Sequence, residues 1–111
     1  MQIKTVHDYQ APADLLANKT ILVTGAGEGI GRQAALSFAQ HGATVILLGR
    51  TTAKLEAVYD EIEAAGYAQA AIVPLDLKGA TAQHYKDMAS TIEQQFGHLD
   101  GVLHNAGILS I

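Results

Sequence analysis

The eight residues Thr24-Gly25-Ala26-Gly27-Glu28-Gly29-Ile30-Gly31 follow the apolar run Thr20-Ile21-Leu22-Val23 and open a stretch of helical period. That arrangement suits an anion. A glycine at 25 permits a sharp turn off a strand, one at 29 lets backbone N–H groups approach a pyrophosphate, and one at 31 lets the helix pack closely on the sheet. The helix then turns its positive end and its unpaired N–H groups toward phosphate charge. The loop departs from G-x-G-x-x-G, because Ile30 stands where the third glycine falls when counted from Gly25. Glycines alone would fit a plain flexible turn; the strand before and the helix after favour a nucleotide.

The elements that must hold this loop read as an alternation. Thr20 to Val23, Thr44 to Leu48, Ala70 to Pro74 and Gly101 to His104 are apolar without a period of two, as expected of parallel strands covered on both faces. Between them, Ile30, Ala34, Ala35 and Phe38 share one helical face, as do Leu55, Val58, Tyr59 and Ile62, and then Tyr85, Met88, Ala89, Ile92 and Phe96. Each of these faces is expected to meet the sheet. Gly42, Gly66 and Gly97 stand where a helix closes through a left-handed residue. Right-handed crossovers then predict an α/β fold: a partial doubly wound (Rossmann) parallel sheet of about four strands in order 3-2-1-4, with helices on both faces. Residues 1–19 read as a leader segment packing on the sheet edge, with a turn at Pro12 and Asp14, an apolar handle at Leu15 and Leu16, and Asn18-Lys19 turning into the first strand. Residues 20–111 read as the dinucleotide-binding domain, truncated relative to a complete fold of this kind.

Composition narrows the function classes. A chain of 111 residues is one domain at most, able to bury roughly two-thirds of its unfolded surface. The net charge of −4, mixed in sign along the chain, offers no basic patch for nucleic acid and no polybasic membrane signal. Without cysteine there is no disulfide framework and no thiol nucleophile. The start has no secretory pattern and no run approaches a membrane span, so a cytoplasmic location is expected. The histidines at 7, 41, 84 and 98 show no i, i+4 spacing with a carboxylate, so no metal site is expected. Asp60, Glu61 and Glu63 read as a solvated helix face, and Tyr59 and Tyr85 as core.

The T-G-x-x-x-G-x-G spacing resembles that of the short-chain dehydrogenase/reductase family, and two further motifs agree in register over about residues 18 to 109. Asp76, in Pro74-Leu75-Asp76-Leu77, matches the family's aspartate that hydrogen-bonds the adenine amino group. Asn105-Ala106-Gly107 matches its N-A-G motif, whose backbone lies beside the cofactor ribose and whose Asn braces the central strands against the loop threonine, here Thr24. The preceding His104 departs mildly from a commoner Asn, and the segment Leu99 to Gly107 is most like a bacterial oxidoreductase group near the 3-oxoacyl-acyl-carrier-protein reductases. The resemblance implies cofactor contacts from Gly25, Glu28, Gly29, Ile30, Gly31, Arg50, Thr51, Asp76, Leu77, Asn105, Ala106 and Gly107.

Residues at the end of the second strand bear on the choice of cofactor. NAD-binding members carry an acid there for the ribose 2′-hydroxyl, whereas here Gly49 is followed by Arg50 and Thr51. Arg50 can receive a 2′-phosphate with its planar fork, helped by Thr51 and the next helix N-terminus, so NADP is expected over NAD. Glu28 argues mildly against this, since some NADP binders carry a basic residue at that place; Arg32 is expected to offset it.

The family's catalytic Ser, helix Asn and Tyr-x-x-x-Lys all follow the N-A-G strand. Four residues follow Gly107, and no tyrosine in the chain has a lysine four positions on. No catalytic residue is therefore assigned, and hydride transfer by these 111 residues alone would lack its general acid. The leading expectation is the NADP-binding N-terminal part of a short-chain oxidoreductase whose parent reduces carbonyls or oxidises alcohols. The alternative is a non-catalytic nucleotide-binding or self-associating module, since the edge of the last strand invites pairing with a second copy or a complementing chain. A phosphoacceptor or flavin domain ranks last, because glycines and not an acidic or hydroxyl-rich loop follow the first strand.

Overall fold

The computed structural model describes residues 14–67, 69–76 and 79–103. Its elements run β1 (Thr20–Thr24), α1 (Gly29–Gln40), β2 (Thr44–Gly49), α2 (Thr52–Ala64), β3 (Ala70–Pro74), α3 (Ala82–Phe96) and β4 (Gly101–Leu103). All pairings are parallel and the order is β3-β2-β1-β4, as the alternation predicts. The chain steps outward from β1 to β3, then returns to the far side of β1. Adjacent crossovers therefore part at the carboxyl ends of β1 and β4, the place where open α/β sheets hold ligands.

Two apolar layers explain the lack of alternation in the strands. Val23, Val45 and Leu47 pack with Ala35 and Ala39 of α1 and with Leu55, Val58 and Ile62 of α2 on one face. Leu22, Ile46 and Leu48 pack with Ile92 of α3 on the other, with Val73, Met88 and Phe96 against them. The central strands are fully enclosed. The outer strands are not: β3 is mostly half-buried and Val102 of β4 is 47% exposed, so the expectation of four buried strands holds only for β1 and β2. An outer strand has a neighbour on one side alone, which leaves its side chains partly in solvent.

Helix faces follow the predicted period with one correction. Ile30 is 74% exposed, whereas Gly31, Ala35 and Ala39 are the buried residues of α1. The buried stripe is thus turned one residue on from the predicted Ile30, Ala34 and Phe38, and Ala34 and Phe38 are left half-buried. Gly42, Gly66 and Gly97 have φ of +100°, +71° and +87°, the left-handed closures read from the sequence. The leader differs from its expectation where it is described. Leu16 packs on the core and its N–H donates to the His41 carbonyl at 2.7 Å, while Leu15 is 56% exposed. Residues 14–19 thus join the end of α1 and the start of β2, where Thr44 N–H donates to the Lys19 carbonyl at 2.8 Å, and do not lie along a sheet edge. Asn18 makes the turn into β1 with φ of +66°.

Candidate nucleotide site

The loop between β1 and α1 is held from below by the sheet. Thr24 is fully buried and its hydroxyl donates to the Leu103 carbonyl at 3.5 Å, joining β1 to β4 at their carboxyl ends. Ala26, also fully buried, donates its N–H to the Leu48 carbonyl of β2 at 3.2 Å. Between these anchors Gly25 turns the chain at φ of +61°, a conformation that costs a residue with a Cβ roughly 1–2 kcal/mol. Gly29 repeats it at φ of +59°, and a Cβ built there meets nothing within 4 Å. Open space therefore lies over the first residue of α1.

Among the described residues, no side chain caps the N-terminus of α1. Glu28 occupies the capping position in extended conformation, yet its side chain does not cap the helix, and the first turn holds no acidic residue. Its carboxylate instead accepts from Lys54 Nζ at 2.9 Å. The hydrogen bond and the charge of Lys54, with a smaller contribution from Arg50, hold the Glu28 carboxyl below its ordinary value. The ion pair thus persists above the ordinary carboxylate range and is lost as pH falls through the depressed value. In an NMR pH titration, the Glu28 carboxyl should titrate below an ordinary glutamate, and Lys54→Met should move it back up. Both side chains are largely exposed, so the pair adds little to folding.

Arg32 does not have the part assigned to it. Its Nη2 donates to both Glu61 carboxylate oxygens, at 2.6 and 2.7 Å, and its Nε to Oε1 at 3.1 Å, a bidentate clasp from α1 to α2. Glu61 was read as part of a solvated face, but the clasp leaves it only partly exposed. Lys54, not Arg32, offsets Glu28. Spacing held the signal for this missed residue: Lys54 lies three positions after Thr51, in the first turn of α2, on the side facing the glycine loop. The approach is so close that a Cβ on Gly27 would stand 2.9 Å from Lys54 Cβ.

Arg50 is exposed where β2 ends, and Thr51 caps α2 through backbone geometry alone, its side chain making no capping hydrogen bond. Asp76 lies exposed just past β3, brought toward the same end of the sheet by Leu75 N–H, which donates to the Gly49 carbonyl at 2.7 Å. Gly25, Glu28, Gly29, Ile30, Gly31, Arg50, Thr51 and Asp76 thus all sit at or beyond the carboxyl ends of β1, β2 and β3. Leu77, His104, Asn105, Ala106 and Gly107 lie outside the described residues, so the bracing of Thr24 by Asn105 does too.

Several other described titratable groups serve the scaffold. His98 Nε2 lies 2.9 Å from the Asn18 carbonyl, 3.1 Å from Asp100 Oδ2 and 3.3 Å from Thr20 Oγ1, at the opposite end of the sheet from the glycine loop. His84 completes a capping box with Thr81, and His41 Nδ1 is 2.7 Å from the Ser37 carbonyl. Tyr59 is pushed up by its hydrogen bond to Glu63, and Tyr85 by burial, the reverse of what a proton-donating tyrosine at neutral pH requires. Among the described residues, no group of three or more His, Asp and Glu is placed to hold a metal, and no helix is long and apolar enough to cross a membrane.

Comparison with known proteins agrees with this geometry. The short chain dehydrogenase family model matches residues 19–111. The oxidoreductase YciK of Escherichia coli is 48% identical over 101 residues, covering 91% of this chain and 40% of that protein. A short-chain dehydrogenase structure from Pseudomonas syringae is 53% identical with a TM-score of 0.79, over 91% of this chain and 41% of that one. A short-chain dehydrogenase from Escherichia coli CFT073, solved in complex with NADPH, is 48% identical with a TM-score of 0.72, over 90% of this chain and 42% of that one. The chain thus spans about two-fifths of the length of these relatives. A family model covering every strand of the sheet, together with the glycine loop at the carboxyl end of β1, places this chain in the short-chain dehydrogenase family.

Proposed function

We propose that this chain binds the adenosine and pyrophosphate portion of a nicotinamide dinucleotide, NADP in preference to NAD, on behalf of a short-chain oxidoreductase. The observation that carries the reading is the start of α1: an uncapped helix N-terminus with open space above Gly29, held by two buried anchors at the carboxyl end of the central strand. Pyrophosphate satisfies those N–H groups and the helix field together. Arg50 and Thr51 would meet the 2′-phosphate and Asp76 with Leu77 the adenine, while Asn105, Ala106 and Gly107 would flank the ribose. The NADPH complex of the Escherichia coli CFT073 relative supports the preference.

Bound, the cofactor supplies a hydride acceptor or donor, and the whole protein's reaction would be carbonyl reduction or alcohol oxidation. These 111 residues contain no Tyr-x-x-x-Lys, so by themselves they would bind without turnover.

Gly29→Ala tests the loop. Its methyl group would enter the open space and its backbone would be strained by about 1–2 kcal/mol. NADPH affinity, followed by nucleotide fluorescence, should drop about tenfold or more, the value of one charge-assisted hydrogen bond. Unchanged affinity would move the phosphates elsewhere.

A further inference from the structure

We propose that Lys54 is a second cation for the 2′-phosphate of the dinucleotide, and that Glu28 holds it until that phosphate displaces the carboxylate. This rests on the nucleotide reading above and adds to it a residue that sets cofactor preference. Lys54 Nζ is 2.9 Å from Glu28 Oε2, and the side chains are 51% and 76% exposed, so the bond can exchange partners without opening the core. The base of Lys54 is fixed: the loop backbone at Gly27 approaches so closely that a Cβ there would stand 2.9 Å from Lys54 Cβ. Its ammonium therefore stays within reach of the glycine loop as the outer methylenes swing.

Arg50 belongs to the same neighbourhood, since its charge acts on the Glu28 carboxyl along with that of Lys54. Arg32, the other cation beside the loop, is clasped by both oxygens of Glu61 and is not available. An incoming 2′-phosphate carries more negative charge than one carboxylate and presents three acceptor oxygens. It therefore competes with Glu28 for Lys54 while Arg50 holds it from the other side. Two opposite effects follow. Lys54 favours the phosphorylated dinucleotide, and Glu28 lowers affinity for it by occupying Lys54. Neither side chain bears on a nucleotide that lacks the 2′-phosphate.

The experiment is calorimetric titration of the full chain with adenosine 2′,5′-bisphosphate and with 5′-AMP, for the unmodified protein, Lys54→Met, Glu28→Gln and the double variant. Lys54→Met should weaken the bisphosphate about three- to fivefold, the span of a partly exposed charge contact, with 5′-AMP unchanged. Glu28→Gln should tighten the bisphosphate by a similar factor, and the double variant should lose that gain. Equal weakening of both probes by Lys54→Met would make the pair a loop staple only and overturn the proposal. A Glu28→Gln gain that survives in the double variant would also overturn it, leaving Glu28 as a simple repulsive charge. If the unmodified protein binds neither probe, the nucleotide reading itself falls; if it binds both and Lys54→Met does not discriminate, only the present inference falls.

Discussion

Arg50→Ala should weaken NADPH about 10- to 100-fold and leave NADH within about twofold, because a lost hydrogen-bonded charge contact is worth roughly 1.5–3 kcal/mol and only NADPH makes it. The residue is exposed at the end of β2, follows a glycine where a carboxylate would serve NAD, and precedes Thr51, whose side chain makes no capping hydrogen bond. Lys is not an equivalent replacement, since a guanidinium grips phosphate with two parallel donors and an ammonium acts as a point charge. Arg50→Lys should therefore recover part of the loss. Fluorescence titration of both nucleotides against each variant checks this, and equal loss of NADPH and NADH would show that Arg50 supports the loop rather than reading the phosphate.

Leu47→Ala should cost about 2–5 kcal/mol of folding stability. Leu47 is fully buried in β2, in the layer where Val23, Ala35, Leu55 and Val58 meet, so the removed methyls leave a cavity that the surrounding helices cannot close. Against a total stability of roughly 5–15 kcal/mol, the loss lowers the denaturation midpoint by a large fraction. Val102→Ala, on the half-covered outer strand, should change the midpoint far less. Urea unfolding followed by circular dichroism checks both. Comparable losses at the two sites would mean that β4 is better enclosed in solution than its exposure indicates.

Much of this architecture was legible because its physics is local. The four apolar runs lack alternation because helices cover both sheet faces, and Val23 beside Leu22 belongs to opposite layers, as such a run requires. The helix-closing glycines were legible because few other residues take a positive φ. Ile30 misled because its spacing fits an apolar face, whereas the small residues Gly31, Ala35 and Ala39 form the buried side of α1. The partner of Glu28 was misread because sequence distance hides contact across elements: Arg32, four residues away, turns to Glu61, and Lys54, on the next helix, arrives where Gly27 makes room. Leu15 failed as a handle because only one of two adjacent apolar residues can face the core from a turn, and Leu16 does.

The most direct test of the central claim is a paired titration of the unmodified 111-residue chain with NADPH and NADH, after intact mass has fixed its composition. Saturable binding of both is expected, with NADPH the tighter. Equal affinities would contradict the part given to Arg50 and Lys54, and binding of neither would contradict the glycine loop as a phosphate cradle.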